Sequence, residues 1–332
     1  MQCSKNCKIC PVFDSCGGCS SPCYYSLCEK NCPECPVLCC RRDDLPLWLE
    51  KVKIGAPYNF KSGYRLPELL PPGLKNISAI PPLPSFFPSL IPFTDLYNGV
   101  NIPVACLPLS KIFNLKSLTF RTHQIKSFLG LRPESILILT FNMKDTFLET
   151  AWSERRKLLF LLSKSDFDYI VSPNFSNYAD APLLEHFVNI ERSFMMAKEF
   201  ESAGFKVFFD VCVSSTQTIN RYLEILFDVP EPGTLHFNFQ LLKTKEFKQS
   251  ALDLLILFHG QVEQGWDFLI TGLCPKDPSP FFKNLEGRRI FFSGSAPVMN
   301  AIFRRVKRGL ISADRKELLA GYLKDFEKRY TK

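Results

Sequence analysis

With 332 residues, 46% of them hydrophobic and 22% charged, the chain has the material for about two packed domains, and its composition excludes a wholly disordered protein. No stretch reaches the roughly 18 consecutive apolar residues of a membrane-spanning helix. The net charge of +8 is concentrated at the C-terminus, where residues 301–332 carry ten lysines and arginines against four acids. That density fits a solvated helix as well as a face for nucleic acid.

Of the fourteen cysteines, eleven fall in the first forty residues: Cys3, Cys7, Cys10, Cys16, Cys19, Cys23, Cys28, Cys32, Cys35, Cys39 and Cys40. So short a segment, poor in aliphatic side chains, cannot fold by burying apolar area. Its spacing repeats. Cys3, Cys7 and Cys10 followed by Pro11 and Val12 are echoed by Cys28, Cys32 and Cys35 followed by Pro36 and Val37. Met1 leads straight into polar sequence with no apolar signal core, so the expectation is a reducing, cytoplasmic setting and a metal rather than disulfides. Triplets of thiolates followed by proline favour one or two [4Fe–4S] clusters. The pairs Cys16–Cys19 and Cys32–Cys35 keep an all-cysteine zinc site as the alternative.

Nine prolines between residues 55 and 92 forbid a long helix, so residues 46–98 read as a linker wrapped against the main domain. From about residue 100, short β-rich apolar runs alternate with helical stretches. Strands are expected at Ile136–Phe141, Tyr169–Ser172, Val207–Val213, Leu235–Leu241, Phe268–Leu273 and Ile290–Ser293. Earlier ones are expected near Ile102–Leu107 and Ile77–Ile80. Helices are expected at Thr122–Leu129, Asp145–Ser163, Leu183–Ala203, Thr216–Phe227, Lys245–Gln261, Pro297–Lys307 and Ala313–Tyr330. Alternation of this kind means parallel pairing through right-handed crossovers. The fold class is therefore α/β: a (β/α)8 barrel or barrel-like parallel sheet over residues 99–310. The cysteine segment 1–45 and the linker precede it, and a basic helix at 311–332 follows it. No G-x-G-x-x-G opens a helix after the first strand, which disfavours a dinucleotide-binding sheet.

In either architecture, ligands bind beyond the carboxyl ends of the strands. The polar residues expected there include Asn142, Ser172, Asn174, Ser176, Tyr178, Asp180, Asp210, Asn238, Thr271, Ser293, Gly294 and Ser295. Asp210 stands out as a carboxylate inside the apolar run Phe-Phe-Asp-Val-Cys-Val, and charges are rarely buried without a partner or a task. Asp210, Asn174, Asn238 and Ser172 are the candidate catalytic residues. Ser176, Tyr178, Asp180, Arg192, Ser293, Gly294 and Ser295 are the candidate substrate contacts, the last three as an anion cradle of backbone N–H groups before a helix. Asp180 also suits a helix N-cap. His123, His186, His236 and His259 are scattered over separate elements and read as packing residues.

The block from Ser172 to Pro182, then Asn189 and Arg192, then Gly204 and Val207, resembles an uncharacterised bacterial and phage family known only as a domain of unknown function. Its pattern is close to S-P-D-F-S-x-Y-x-D-x-P…N-x-x-R…G-x-x-V, and Asn174 stands where the pattern has Asp. The resemblance, placed at roughly residues 135–295, implies an α/β domain with its site near the loop after the second strong strand. It implies no reaction. The C-x3-C-x2-C spacing is also that of radical-SAM enzymes, although there the triplet follows the first barrel strand and a Gly-Gly-Glu lies downstream, unlike here, so a radical-SAM-like enzyme stands as a minor alternative. The preferred functional expectation is an iron–sulfur enzyme acting on a phosphorylated or nucleotide-like small molecule. The alternative is a nucleic-acid-binding protein of a mobile element, gripping with the cysteine module and the basic C-terminus.

Overall fold

The computed structural model describes residues 77–81, 86–90, 94–114, 119–143, 145–175, 183–239, 245–273, 279–295, 297–299 and 312–330. The eleven N-terminal cysteines, Ser176, Tyr178, Asp180 and the basic run at 304–308 lie outside these residues.

Eight strands form one parallel sheet: β1 (Phe86–Pro88), β2 (Val104–Pro108), β5 (Ile136–Thr140), β6 (Tyr169–Val171), β7 (Lys206–Asp210), β8 (Thr234–Asn238), β9 (Asp267–Thr271) and β10 (Ile290–Gly294). A two-stranded antiparallel ribbon, β3 (Phe113–Asn114) with β4 (Thr119–Phe120), follows β2. The order in the sheet is β1-β10-β9-β8-β7-β6-β5-β2. Its two ends then meet, because Ser89 bridges Cys106 in parallel and the Leu90 N–H donates to the Cys106 carbonyl at 2.7 Å. The sheet is therefore curled into a barrel-like ring with a thin seam between β1 and β2. Helices fill the crossovers: α1 (Thr94–Tyr97), α2 (Ile125–Leu129), α3 (Asp145–Ser153), α4 (Arg155–Leu162), α5 (Leu183–Ser202), α6 (Thr216–Phe227), α7 (Lys245–His259), α8 (Ser279–Asn284) and finally α9 (Ser312–Tyr330).

The apolar runs are nearly continuous because both faces of each strand are covered. Residues of one parity point outward beneath the helices. Phe209 meets Phe194 on α5 and Tyr222 on α6, and Phe237 meets Phe258 on α7, at centroid distances of 5.7–5.9 Å. The other parity fills the ring with Val104, Cys106, Ile138, Tyr169, Val171, Phe208, Leu269 and Phe291. The long helix α5 stops at Gly204, whose φ of +88° is open to glycine at little cost, and the chain turns there into β7.

Three expectations change. Ile77–Ile80 is not a strand; it is a strap across the N-terminal ends of β7 and β8. The Ser78 N–H donates to Val207 O at 2.9 Å, the Thr234 N–H donates to Ser78 O at 3.0 Å, and the Ile80 N–H donates to Thr234 Oγ1 at 3.0 Å. Ile80 then plugs the ring from below. The first strand comes later, at Phe86–Pro88, inside the stretch read as a linker. The helix expected over Asp145–Ser163 is two helices, interrupted at Glu154, where φ is −104° and ψ is 19°.

The last helix lies against the seam side. Phe326 and Tyr330 are buried, with Phe86 at 4.7 and 5.2 Å from their rings and Phe292 at 4.7 Å from Tyr330. Within α9 the five basic residues are nearly balanced by four acids, so the charge excess lies elsewhere in the tail. No helix among the described residues is long and apolar enough to cross a membrane.

Candidate functional site

The ring is apolar through most of its depth and turns polar at the carboxyl ends of its strands. On the inward row lie Ser89 just after β1, Thr140 at the end of β5, Asp210 at the end of β7, His236 and Asn238 on β8, Thr271 at the end of β9 and Ser293 on β10. Asn142 continues the inward row of β5. Thr140, Asp210, His236, Thr271 and Ser293 are each no more than 2% exposed, whereas Asn142 and Asn238 are half-buried.

These groups form one hydrogen-bonded chain. Asp210 Oδ2 pairs with His236 Nδ1, and His236 Nε2 lies 3.0 Å from Thr271 Oγ1. Thr271 Oγ1 donates to Asn238 Oδ1 at 3.5 Å, and Asn238 Nδ2 donates to Asn142 Oδ1 at 2.7 Å. The chain has a polarity. Since Thr271 gives its proton to Asn238, it accepts from His236, and Nε2 carries a hydrogen. One further proton then lies between Nδ1 and the carboxyl, so the buried Asp210–His236 pair carries no net charge. Burial pushes the Asp210 carboxyl above its ordinary value of 3.8, against the opposing pull of His236, as expected of a carboxyl that keeps or shares its proton. Beside this chain, burial raises the Cys106 thiol to about 12, which leaves it protonated and inert; Ser293 is its neighbour. Beyond the Cys106 thiol, the Ser293 hydroxyl has no partner.

The sequence-predicted residues divide. Asp210, Asn238 and Ser293 come together on the inner wall. Ser172 supports them from behind, since its Oγ accepts the Asp210 N–H at 2.8 Å and its own N–H extends the ladder to Phe208 O. Asn174 is half-buried in the segment after β6, and no contact joins it to the chain. Arg192 is not in the ring. Its guanidinium makes a two-bond pair with Glu149 on α3, at 2.9 and 2.6 Å, and covers the Phe175 ring at 3.9 Å. It clamps the segment after β6 to α3 and α5, so its charge is already committed. Gly294 extends the β1–β10 ladder, its carbonyl accepting the Ser89 N–H, and exposed Ser295 opens the helical turn at 297–299 by accepting the Met299 N–H at 2.8 Å.

Reading the histidines as packing missed His236. The signal was its alternation: in Leu235-His236-Phe237-Asn238-Phe239 the apolar residues share one face and the polar ones the other. In a closed parallel sheet, that second face is the interior. Thr140, Thr271 and Ser293 follow the same parity. Among the described residues, no group of three or more His, Cys, Asp or Glu side chains is arranged to hold a metal ion.

The fold and the site thus define a barrel-like α/β protein with a polar carboxyl-terminal mouth. Residues 117–235 match a family described as a domain of unknown function (DUF4417). The match spans β4 to the start of β8, and so includes Ser172, Arg192 and Asp210 but stops one residue short of His236. No curated protein matches the chain.

Proposed function

We propose that the chain is an enzyme working at the carboxyl-terminal mouth of the ring on a phosphorylated or nucleotide-like small molecule. The observation that supports this reading is the buried Asp210–His236–Thr271 chain, which ends at two half-buried amides where substrates of such folds bind. A barrel interior needs only branched apolar side chains to be stable, so a polar relay there is retained for chemistry. A substrate atom that replaces Asn238 Oδ1 on Thr271 is connected through one hydroxyl to His236 Nε2, which can then give a proton. Asp210 holds the imidazole in place and keeps the negative charge that is left, so it acts as a positioning residue. The turn at Ser293–Gly294–Ser295 offers backbone N–H groups for a phosphate at the rim. The cysteine segment, in this reading, carries one or two [4Fe–4S] clusters, with zinc as the alternative metal.

The test uses the full chain purified without oxygen and a panel of nucleotides and sugar phosphates, followed by NMR for turnover. Conversion of a panel member by the wild type, lost in His236→Gln with the circular dichroism spectrum retained, is the expected result. Equal conversion by both proteins, or none by either, overturns it. Iron, sulfide and zinc assays on the same sample decide the metal.

A further inference from the structure

The Asn142–Asn238 hydrogen bond joins strands that are not neighbours. Asn142 follows β5 and Asn238 ends β8, with β6 and β7 between them, so their 2.7 Å contact crosses the mouth of the ring like a bar. On the inward rows below or beside the bar lie three buried atoms: Thr140 Oγ1 on β5, Asp210 Oδ1 on β7 and Ser293 Oγ on β10. Beyond the Cys106 thiol beside Ser293, none has a hydrogen-bond partner, and none has as much as 1 Å² of exposed surface. Buried polar atoms in folded proteins are ordinarily satisfied, and an unsatisfied one is costly. Three such atoms on the inward rows of one mouth leave hydrogen-bonding capacity that a ligand can fill.

We infer that the Asn142–Asn238 bar opens to admit an uncharged, hydroxyl-bearing group, the sugar portion of the substrate, which satisfies Thr140, Asp210 and Ser293. The inference rests on reading the mouth as a substrate site and goes further by stating what enters it. Charge selects the class. Among the described residues, no lysine or arginine occupies an inward position at this end, and the Asp210–His236 pair is neutral, so a phosphate drawn this deep would be uncompensated. A sugar hydroxyl suits all three atoms: it donates to the Asp210 carboxyl oxygen and accepts from, or donates to, the two side-chain hydroxyls. The vicinal hydroxyls also replace the bond that the two amides lose on parting, so opening exchanges partners rather than abandoning them.

Thr140→Val and Ser293→Ala test this, because each removes one hydroxyl with little change of shape. If the hydroxyls wait for a ligand, each variant melts higher than the wild type without ligand, by about 2–4 °C. The rise in melting temperature that D-ribose or ribose 5-phosphate gives the wild type would be reduced at least about tenfold in concentration dependence by each change. Inorganic phosphate alone gives no comparable rise. Lower melting of the free variants would show that the hydroxyls already have partners and would overturn the inference. So would an undiminished response to the sugars, an equal response to phosphate alone, or no response of the wild type to either sugar. The enzyme reading stands or falls separately, on turnover by His236→Gln.

Discussion

The two ends of the ring interior handle buried polarity in opposite ways. At the N-terminal end, the polar groups are matched: Ser78 uses both its N–H and its carbonyl, Thr234 Oγ1 accepts from Ile80, and Asp267 takes two bonds from Arg289. Ile80 closes what remains. At the C-terminal end, the buried Asp210, His236 and Thr271 run out to two half-buried amides, while three neighbouring polar atoms lack ordinary partners. Both ends belong to the same strands, only about five residues apart, so the contrast is not one of local propensity. The matched end is built for stability, and the unmatched end tolerates a cost that stability alone would remove.

The sharpest way to break the contrast is at the relay. His236→Ala leaves the Asp210 carboxyl buried without its partner, and the expected loss is about 3–5 kcal/mol in urea denaturation. A loss below about 1 kcal/mol would mean that the pair holds nothing together. The matched end has its own weak point in Gly233. A Cβ there would lie 1.9 Å from the Ile77 carbonyl oxygen and 2.5 Å from its carbon, a clash with backbone that no rotamer relieves. Gly233→Ala should cost about 1–3 kcal/mol and raise hydrogen exchange at Ser78 and Ile80. Protection unchanged at those two amides would remove the strap from its role as a plug.

Asp210→Asn sharpens the comparison through pH. A carboxyl whose pKa is raised by folding favours the folded state most below its ordinary 3.8, and that contribution is lost as pH rises through its folded value. The stability of Asp210→Asn relative to the wild type should therefore improve between pH 4 and pH 7, by about 1 kcal/mol for each unit of upward shift. A difference that stays flat, or runs the other way, places the proton elsewhere. The smallest effect on the ring is expected from Cys7→Ser with Cys32→Ser. Metal is lost and protease cuts within residues 1–45, while the melting temperature of the α/β domain stays within about 1 °C. Collapse of the whole chain would tie the cysteine segment to the plugged end.

Much of this fold was legible because buried parallel strands announce themselves as apolar runs. Six of the strongest runs begin within one residue of their strands. β1 was not legible, since Phe86-Phe87-Pro88 sits among prolines, and Pro88 has no N–H to give a ladder. It holds its place through packing against Phe326 and Tyr330 and through the seam at Ser89, contacts that come from distant sequence. Asp210 was visible as an anomaly within its strand. Arg192, a candidate substrate contact from the block that carries the family resemblance, proved to be a clamp, because sequence does not show which carboxylate faces a charge. The Asn142–Asn238 bar depends on the curl of the sheet, and no pattern in either segment encodes it.

The pairing of β1 with β10 also sets a timetable for the newborn chain. Phe86 pairs with Phe292 across about 200 residues, which a ribosome adding 5–20 residues per second takes roughly 10–40 s to supply. Throughout that interval the first strand has neither its β10 partner nor the aromatic cover of α9. The ring can lock only after α9 has emerged, so closure against that helix, rather than any earlier hairpin or crossover, is the moment at which these strands commit to the ring.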